Sequence, residues 1–351
     1  KSIPAARGRS PSSARFCPNR HDQICNSARF CEGKAPMTTS LDIVDIHTHI
    51  WPEQWKPGGR WARPHNGLPE ETLDRILSPE RLQAEFSAAG VSLAVVTSTI
   101  ESLFGAEGPV DFDGVRHAND WLAGLQRRSS AIAAFGVTDA FSGDLGAEEA
   151  ERAIVDQGLS GLVVDSARHG LFLGDPITVP TLKVAARHRV PVFVHPVAHP
   201  QANGLIAAAG PLGNSAGRGL MNGVAFLKII QSTLLDDLPD LHLIFATLGL
   251  GAIVQAARGG RFGRQARSSG SRPNVYFDTM GHDPAILRVL AGFFGAERVL
   301  AGTDWPILPA FDRSGLAASL KEAGLSDEEQ ALVAGGNARR LLGLRSANTP
   351  V

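Results

Sequence analysis

The chain has 351 residues and a formal net charge of −1, from 34 basic and 35 acidic side chains. This balance gives no electrostatic reason to expect nucleic acid or an anionic membrane surface as a partner. Hydrophobic residues make up 43% of the chain, enough for a large core. No run of about 18 apolar residues occurs, so we expect no membrane span.

The first 36 residues differ in composition from the rest of the chain. They are rich in Arg, Ser and Pro, and poor in acidic and aliphatic residues. We therefore expect residues 1–36 to lie outside the fold, as a disordered or non-native extension, and residues 37–351 to form one domain. The extension is either upstream sequence translated before a start at Met37 or an Arg/Ser-rich targeting peptide, and we favour the first.

All three cysteines, Cys17, Cys25 and Cys31, lie in this extension. A zinc knuckle that also uses His21 is conceivable, but no C-x-x-C pair supports it. The remainder of the chain is free of cysteine, which excludes a disulfide framework there and is typical of a reducing compartment. We therefore expect a cytoplasmic protein.

Short apolar runs recur along the rest of the chain and predict strands. Most are almost continuously hydrophobic, as parallel strands buried on both faces are. The predicted strands are 42–47, 92–98, 131–137, 161–165, 191–195, 241–246, 274–278 and 298–302.

Helical patterns lie between these strands. Ser78 is a good N-cap for a helix over 79–89, and Gly90 would end that helix. Comparable apolar stripes predict helices over 147–157, 177–189 and 284–294.

Eight strands that alternate with helices favour an α/β fold, a (β/α)8 TIM-type barrel with right-handed crossovers. A doubly wound open sheet is the alternative. It would need a Gly-rich phosphate turn after its first strand, but this chain has His-Thr-His-Ile-Trp there. The glycines of 249–263 do not form G-x-G-x-x-G, so a dinucleotide site is poorly supported.

Two long connections follow strands and should rise over the C-terminal face of the barrel. They span 50–78, which holds Trp51, Trp55 and Trp61, and 196–217. Active sites of barrel enzymes are built at this face. Long loops in compact domains are usually functional or disordered, and the tryptophans favour an ordered loop.

Four polar residues close apolar strands at this same face. His47 and His49 are two residues apart, so their side chains point the same way from one strand. His195 ends the fifth predicted strand and Asp304 ends the eighth. Three imidazoles and a carboxylate predict a divalent metal site, with Zn²⁺ favoured over Mn²⁺.

Each motif alone has a simpler interpretation. His-x-His could be two surface histidines, Val-His-Pro could be structural, and Gly-Thr-Asp could be a helix cap. Because each motif closes a different predicted strand, the combination favours a metal centre.

With these motifs the sequence resembles the amidohydrolase superfamily over about residues 42–344. More narrowly, it resembles the branch that includes aminocarboxymuconate-semialdehyde decarboxylase and metal-dependent aromatic acid decarboxylases. The segments that show the resemblance are Val-Asp-Ile-His-Thr-His, Val-Phe-Val-His-Pro, Asp-Thr-Met-Gly-His-Asp-Pro, Leu-Ala-Gly-Thr-Asp-Trp-Pro and Gly-Gly-Asn-Ala-Arg-Arg-Leu-Leu-Gly-Leu.

The resemblance implies that His47, His49, His195 and Asp304 bind one metal, since the fourth strand offers no bridging lysine. It also implies a homodimer, in which Arg258 reaches the partner's site and holds a substrate carboxylate. The alternative for Arg258 is a solvated helix residue.

The chain departs from the family after the sixth strand, where Thr247 replaces a histidine. Threonine is no general base near neutral pH, although it can hydrogen-bond a ligand or water. His199, His65 and His282 are possible substitutes by position, each with a surface or supporting role as the alternative. We expect Trp51, His199 and His282 to contact the substrate, with Asp304 and Thr247 as catalytic candidates.

Three functions remain open from the sequence. The first is a decarboxylase of a small aromatic or unsaturated carboxylic acid, in which Asp304 protonates the carbon that loses CO2. The second is a hydrolase of an ester, lactone or amide, in which Asp304 is the base. The third is a non-catalytic barrel subunit that serves a catalytic partner.

Overall fold

The computed structural model describes residues 41–62, 68–258 and 274–345. They belong to a unit that spans Ser40–Val351. The predictions for residues 1–36, for their cysteines and for His65 lie outside the described residues.

Eight parallel strands form one sheet in which each strand pairs with the next along the chain. The strands are β1 Ile43–His49, β2 Val91–Thr97, β3 Ile132–Val137, β4 Gly161–Asp165, β5 Pro191–His195, β6 His242–Phe245, β7 Val275–Asp278 and β8 Val299–Leu300. The segment after β8 returns to β1, where the Ile46 N–H donates to the Ala301 carbonyl at 2.9 Å. The sheet thereby closes into the (β/α)8 barrel that the sequence predicts.

Helices cover the outside of the sheet and fill the connections. They are α1 Glu70–Ile76, α2 Pro79–Ala89, α3 Ile100–Phe104, α4 Phe112–Arg128, α5 Asp144–Val155, α6 Val179–His188, α7 Asn203–Ala208, α8 Gly213–Gln231, α9 Leu234–Asp237, α10 Leu250–Arg258, α11 Pro284–Phe294, α12 Arg313–Glu322, α13 Asp327–Ala331 and α14 Asn337–Leu341. Among the residues that the structure describes, no helix is long and apolar enough to cross a bilayer.

Alternate residues of the strands bury into two separate layers. In β4, Leu162 and Val164 pack into the cluster that also contains helix residues. Val163, between them, packs with Phe193 and Ile244 from the next two strands in a second cluster, the barrel interior. Burying one such side chain contributes about 1.5–3 kcal/mol, so both faces of the strand require apolar residues. This explains the nearly continuous hydrophobic runs in the sequence.

The first long loop is ordered where it is described. Trp55 stacks on Trp61 with ring centroids 4.9 Å apart, and the Trp55 Nε1–H donates to the Leu103 carbonyl at 3.1 Å. The Trp61 Nε1–H donates to the Asp111 carboxylate at 2.8 Å. These two rings therefore attach the loop to α3 and to the start of α4.

Candidate metal centre

Four side chains converge at the carboxyl ends of the strands. One ligand atom from each of His47, His49, His195 and Asp304 lies within 4.8 Å of the others. His47 and His49 leave β1 on the same side, with their Nε2 atoms 3.1 Å apart and their rings nearly perpendicular at 83°. The predicted convergence of the four residues is confirmed.

Asp304 reaches the centre from an unusual backbone conformation. Its φ is 68°, in the left-handed region that few non-glycine residues adopt. The Asp304 N–H donates to the His47 carbonyl at 2.8 Å, which holds this conformation. Its Oδ1 then lies 3.4 Å from His47 Nε2 and 3.1 Å from His49 Nε2. Backbone strain of this kind is concentrated at functional sites.

Three of the four donor atoms are spaced as ligands of one divalent ion are. Ligands about 2.1 Å from a common ion lie roughly 3.0–3.4 Å from one another at angles of about 90–109°. The spacings between the Nε2 atoms of His47 and His49 and the Asp304 Oδ1 fall in this range. The His195 Nδ1 is buried and has no hydrogen-bond partner among the described residues, as expected of an atom kept for a metal.

Asp278, which ends β7, orients the first of these ligands. Its Oδ2 lies 2.5 Å from His47 Nδ1, and its Oδ1 accepts the Thr247 N–H at 3.0 Å. Because the carboxylate occupies Nδ1, the lone pair of His47 Nε2 is directed toward the metal centre. Thr247 therefore supports the centre through its backbone.

Asp45 links the first strand of the barrel to the segment that follows the last strand. Its Oδ1 accepts the N–H groups of His47 at 3.1 Å and Thr303 at 3.0 Å, and its Oδ2 accepts the Thr303 hydroxyl at 2.6 Å. Burial raises the Asp45 pKa to about 7, although these hydrogen bonds oppose the shift. Through these hydrogen bonds Asp45 connects β1, which carries His47, to the residue before Asp304.

The electrostatics favour the protonation states that a metal requires at three of the four ligands, His49, His195 and Asp304. Burial lowers the pKa of His49, and it lowers the pKa of His195 further, with added repulsion from neighbouring cations. Burial would raise the pKa of Asp304, but His47, His49 and Arg218 hold it below its ordinary value. Neutral imidazoles and an ionised carboxylate are the forms that bind metal. Burial opposes the charged form of His47 as well, but Asp304 and Asp278 outweigh it and raise the His47 pKa.

An ion pair lies beside the centre. Arg218, on α8, donates to both carboxylate oxygens of Glu101, at 2.6 and 2.9 Å, and to the Pro196 carbonyl at 2.8 Å. Glu101 also accepts the Ala198 N–H at 3.1 Å, and its own N–H donates to Asp165 at 2.9 Å. A cation is thereby fixed next to the segment that follows His195.

Comparison with known proteins agrees with this architecture. The amidohydrolase family model matches residues 44–344. The chain belongs to the amidohydrolase family. A curated relative, the 2-amino-3-carboxymuconate-6-semialdehyde decarboxylase of Dictyostelium discoideum, is 24% identical over 343 residues, which cover 86% of this chain and 91% of the relative.

Solved structures share the same fold. The 5-carboxyvanillate decarboxylase of Sphingomonas paucimobilis aligns with a TM-score of 0.68 at 21% identity. The alignment covers 87% of this chain and 100% of that one. A dihydroxybenzoic acid decarboxylase of Polaromonas, with bound manganese and 2-nitroresorcinol, aligns with a TM-score of 0.69 at 20% identity, covering 89% and 100%.

In this amidohydrolase, the other predicted site residues differ in burial. Thr247 is buried where the chain leaves β6, and Trp51 is buried where it leaves β1. Arg258 is exposed at the end of α10. Their predicted contacts with a substrate or partner remain predictions.

Two of the histidines proposed as substitutes for the family histidine lie among the described residues, and both contact side chains or backbone other than the four metal ligands. His199 accepts the Gly170 N–H at 3.2 Å and lies 3.0 Å from the Glu107 carboxylate. His282 lies 3.0 Å from the Ser319 hydroxyl, on a separate cavity of about 360 Å³. These contacts are typical of supporting residues.

The predictions from the sequence include no role for Asp278, Asp45, Glu101 or Arg218. A signal existed for Asp278, because it ends the apolar run Val-Tyr-Phe-Asp as His195 ends Val-Phe-Val-His. The other three residues depend on contacts between distant segments, such as the pairing of Glu101 with Arg218. No local pattern marks such contacts.

Proposed function

We propose that this amidohydrolase is a metal-dependent decarboxylase of a small aromatic or unsaturated carboxylic acid. The observation that supports it most is the quartet of three histidines and Asp304 at the mouth of the barrel. The curated relative and the two solved structures named above are decarboxylases, which favours this reaction over hydrolysis.

We assign one divalent metal to the quartet, with zinc first and manganese second. Three nitrogen donors and one oxygen donor match the ligand preference of zinc, whereas a structural relative holds manganese. When bound, the ion supplies a Lewis acid for the substrate's carboxylate and a neighbouring oxygen.

In this proposal Asp304 moves the proton. Its pKa lies below the ordinary value, so it begins ionised and can accept the proton of a hydroxyl group next to the substrate carboxylate. Asp304 then donates this proton to the ring carbon, the carbon–carboxylate bond breaks, and CO2 leaves. Solvent returns a proton to the product oxygen, so one proton is consumed overall.

Other residues shape the site in the same proposal. The Thr247 hydroxyl and the Trp51 ring lie on loops that leave the mouth, and we assign both to substrate contacts. We assign His199 and His282 the supporting role that was their alternative. We also propose a homodimer in which Arg258 reaches the partner's site, consistent with its exposure on α10.

The test is CO2 release from a panel of hydroxybenzoic and unsaturated acids, by metal-free protein and by protein loaded with zinc or manganese. We expect release only from the loaded protein, and a loss of roughly 10²–10⁴-fold in Asp304→Asn. The control Asp312→Asn changes the N-cap of α12, where asparagine also caps, so it should retain full activity.

The same panel separates the alternatives. Turnover of esters or lactones without CO2 release would establish a hydrolase instead. Inactivity of the loaded protein on both sets, with co-purification of a second barrel protein, would establish the non-catalytic subunit.

A further inference from the structure

Two backbone hydrogen bonds join the segment that carries Asp304 to β1. The Asp304 N–H donates to the His47 carbonyl at 2.8 Å, and the His49 N–H donates to the Trp305 carbonyl at 2.7 Å. Trp305 is thus covalently joined to one metal ligand and hydrogen-bonded to the backbone of another. The position of Trp305 therefore decides how the Asp304 carboxylate faces the two histidines of β1.

The Trp305 ring is fully buried and contacts helix α2. Its Nε1–H donates to the Glu85 carboxylate at 2.8 Å. The neighbouring residue on α2, Phe86, meets the ring edge-on, with ring centroids 5.8 Å apart. A buried indole N–H needs an acceptor, and Glu85 supplies it.

Arg75, near the end of α1, completes this contact. Its Nε and Nη2 donate to the two Glu85 oxygens at 3.1 and 2.6 Å, and its Nη1 donates to the Pro306 carbonyl at 3.3 Å. Its guanidinium carbon lies 5.3 Å from the centroid of the Trp305 ring. A two-bond fork fixes the direction of a carboxylate. We call Arg75, Glu85 and the Trp305 ring the tryptophan anchor.

The tryptophan anchor links the first long loop to the metal centre. The residue after Arg75, Ile76, accepts the N–H of Trp51 at 2.8 Å, and Trp51 lies two residues beyond His49. The loop therefore leaves the metal ligands of β1 and returns, through Arg75, to the segment that follows Asp304.

The charges within the tryptophan anchor are paired. Burial would raise the Glu85 pKa, but Arg75 and the Trp305 N–H hold it below its ordinary value. The Glu85 charge is thus matched by the Arg75 charge at hydrogen-bond distance. A paired cation and anion have opposite effects on a distant ion, so the geometry of the backbone is the stronger connection to the metal centre.

We propose that Glu85 and Arg75 are positioning residues for the metal ligand Asp304 and act through Trp305. The tryptophan anchor holds the Asp304 carboxylate at the distance from His47 and His49 that one ion requires. This inference rests on the metal assigned in the proposed function and is independent of the reaction.

The test is the dissociation constant of zinc, measured by competition with a chelator of known affinity. Glu85→Ala and Trp305→Phe should each weaken zinc binding by roughly 10-fold, the low end of the effect of a residue bonded directly to a metal ligand. Because both variants break the same hydrogen bond, the double variant should be less than about twofold weaker than either single variant. Unchanged affinities, or losses that multiply in the double variant, would overturn the proposal.

Arg75 separates positioning from charge. Removal of a cation by itself strengthens the binding of a metal ion, because electrostatic repulsion falls. Arg75→Met should instead weaken zinc binding by roughly threefold, because the fork to Glu85 and the bond to the Pro306 carbonyl are lost. Tighter zinc binding in this variant would contradict the positioning role.

The visible absorption of the cobalt-loaded protein reports the coordination geometry directly, because the bands of Co²⁺ depend on the arrangement of its ligands. We expect altered bands in Glu85→Ala and Trp305→Phe. Glu85→Gln keeps an oxygen acceptor for the indole N–H, so it should restore the wild-type spectrum and an affinity within about threefold of the wild type. Wild-type bands in all three variants would overturn the proposal.

Arg339→Met is the matched control for stability. Arg339 pairs with Asp42, directly before β1 and at the opposite end of that strand from His47 and His49. Loss of this pair should lower the urea midpoint of the metal-free protein and leave zinc affinity unchanged. A weaker zinc affinity in Arg339→Met would show that any loss of stability weakens the metal centre, which would remove the specific role of the tryptophan anchor.

The zinc titration does not depend on turnover, so the two proposals fail separately. Absence of CO2 release, with the expected changes in zinc affinity, would support the tryptophan anchor and reject the decarboxylase. Release of CO2 with unchanged zinc affinity in the variants would retain the decarboxylase and reject the tryptophan anchor. A wild type that binds no zinc, manganese or cobalt would overturn both.

Discussion

At the scale of single residues, the geometry of His47 depends on Asp278. The two are 231 positions apart in the chain and meet at 2.5 Å. A carboxylate behind a metal-binding histidine fixes its tautomer and increases the basicity of the ligand nitrogen. Asp278 also accepts the Thr247 N–H, so the loop after β6 is tied to the same anchor.

Replacing this anchor should weaken the metal centre without abolishing it. We expect Asp278→Asn to lower the metal affinity by roughly 10- to 100-fold, because the amide neither aligns nor polarises His47 as the carboxylate does. Competition with a chelator of known affinity measures the change, and Asp312→Asn serves as the control. An unchanged affinity would show that Asp278 has only a structural role.

His242 gives a pH prediction away from the metal centre. It begins β6, and burial lowers its pKa below the ordinary 6.5. Below that pH the unfolded chain binds more protons than the folded chain, so this group reduces stability as the pH falls.

We therefore expect His242→Gln to lose less unfolding free energy than the wild type between about pH 7.5 and about pH 5.5. Urea unfolding of both proteins at the two pH values measures the difference. Identical losses in the two proteins would show that His242 has an ordinary pKa in the folded state.

The metal ligands could be predicted from the sequence because each lies at the end of an apolar run or shortly after it, and strand ends meet at one face of a barrel. The contacts that support these ligands could not be predicted from the sequence. Glu101 and Arg218 are 117 positions apart, and nothing near either residue specifies the partner. The family resemblance points to Arg258, whereas in the structure Arg218 donates to the carbonyl of Pro196, the residue after the ligand His195.

At the scale of elements, local signals placed several helices accurately. Helix α2 begins after the Ser78 cap and ends before Gly90, which has a φ of 76°. Its observed span, Pro79–Ala89, is the predicted one. The eighth strand, predicted over 298–302, spans only Val299–Leu300. The chain beyond it bonds to β1 through Ala301 and then turns to present Asp304, which apolar character alone does not reveal.

Helix α8 gives the prediction at this scale. Gly219→Ala should destabilise the protein by about 1–3 kcal/mol, because the new Cβ collides with the Leu248 carbonyl. Gly292→Ala, in α11, meets open space and should stabilise by about 0.5–1 kcal/mol. Urea unfolding compares the two. Equal effects of the two alanines would contradict the close contact between α8 and the loop after β6.

At the scale of the whole molecule, the metal centre joins segments that are far apart in the chain. His47 and His49 belong to β1, His195 ends β5, and Asp304 lies in the segment that closes the barrel. A metal that binds all four stabilises the folded chain, because the unfolded chain does not bring them together.

We expect the loaded protein to unfold at a higher temperature than the chelator-treated protein. Free metal at 100 times its Kd should add about 2.7 kcal/mol to the unfolding free energy. Thermal unfolding over a series of metal concentrations measures this gain. A midpoint independent of metal concentration would mean that the quartet does not bind metal in the folded state.

The most direct test of the central claim, a single metal held by the quartet, is the metal content of the purified protein after reconstitution. The wild type should hold about one equivalent of zinc or manganese per chain. The double variant His195→Ala, Asp304→Ala should hold almost none while it remains folded. A wild type that stays metal-free, or a double variant that keeps its metal, would contradict the account.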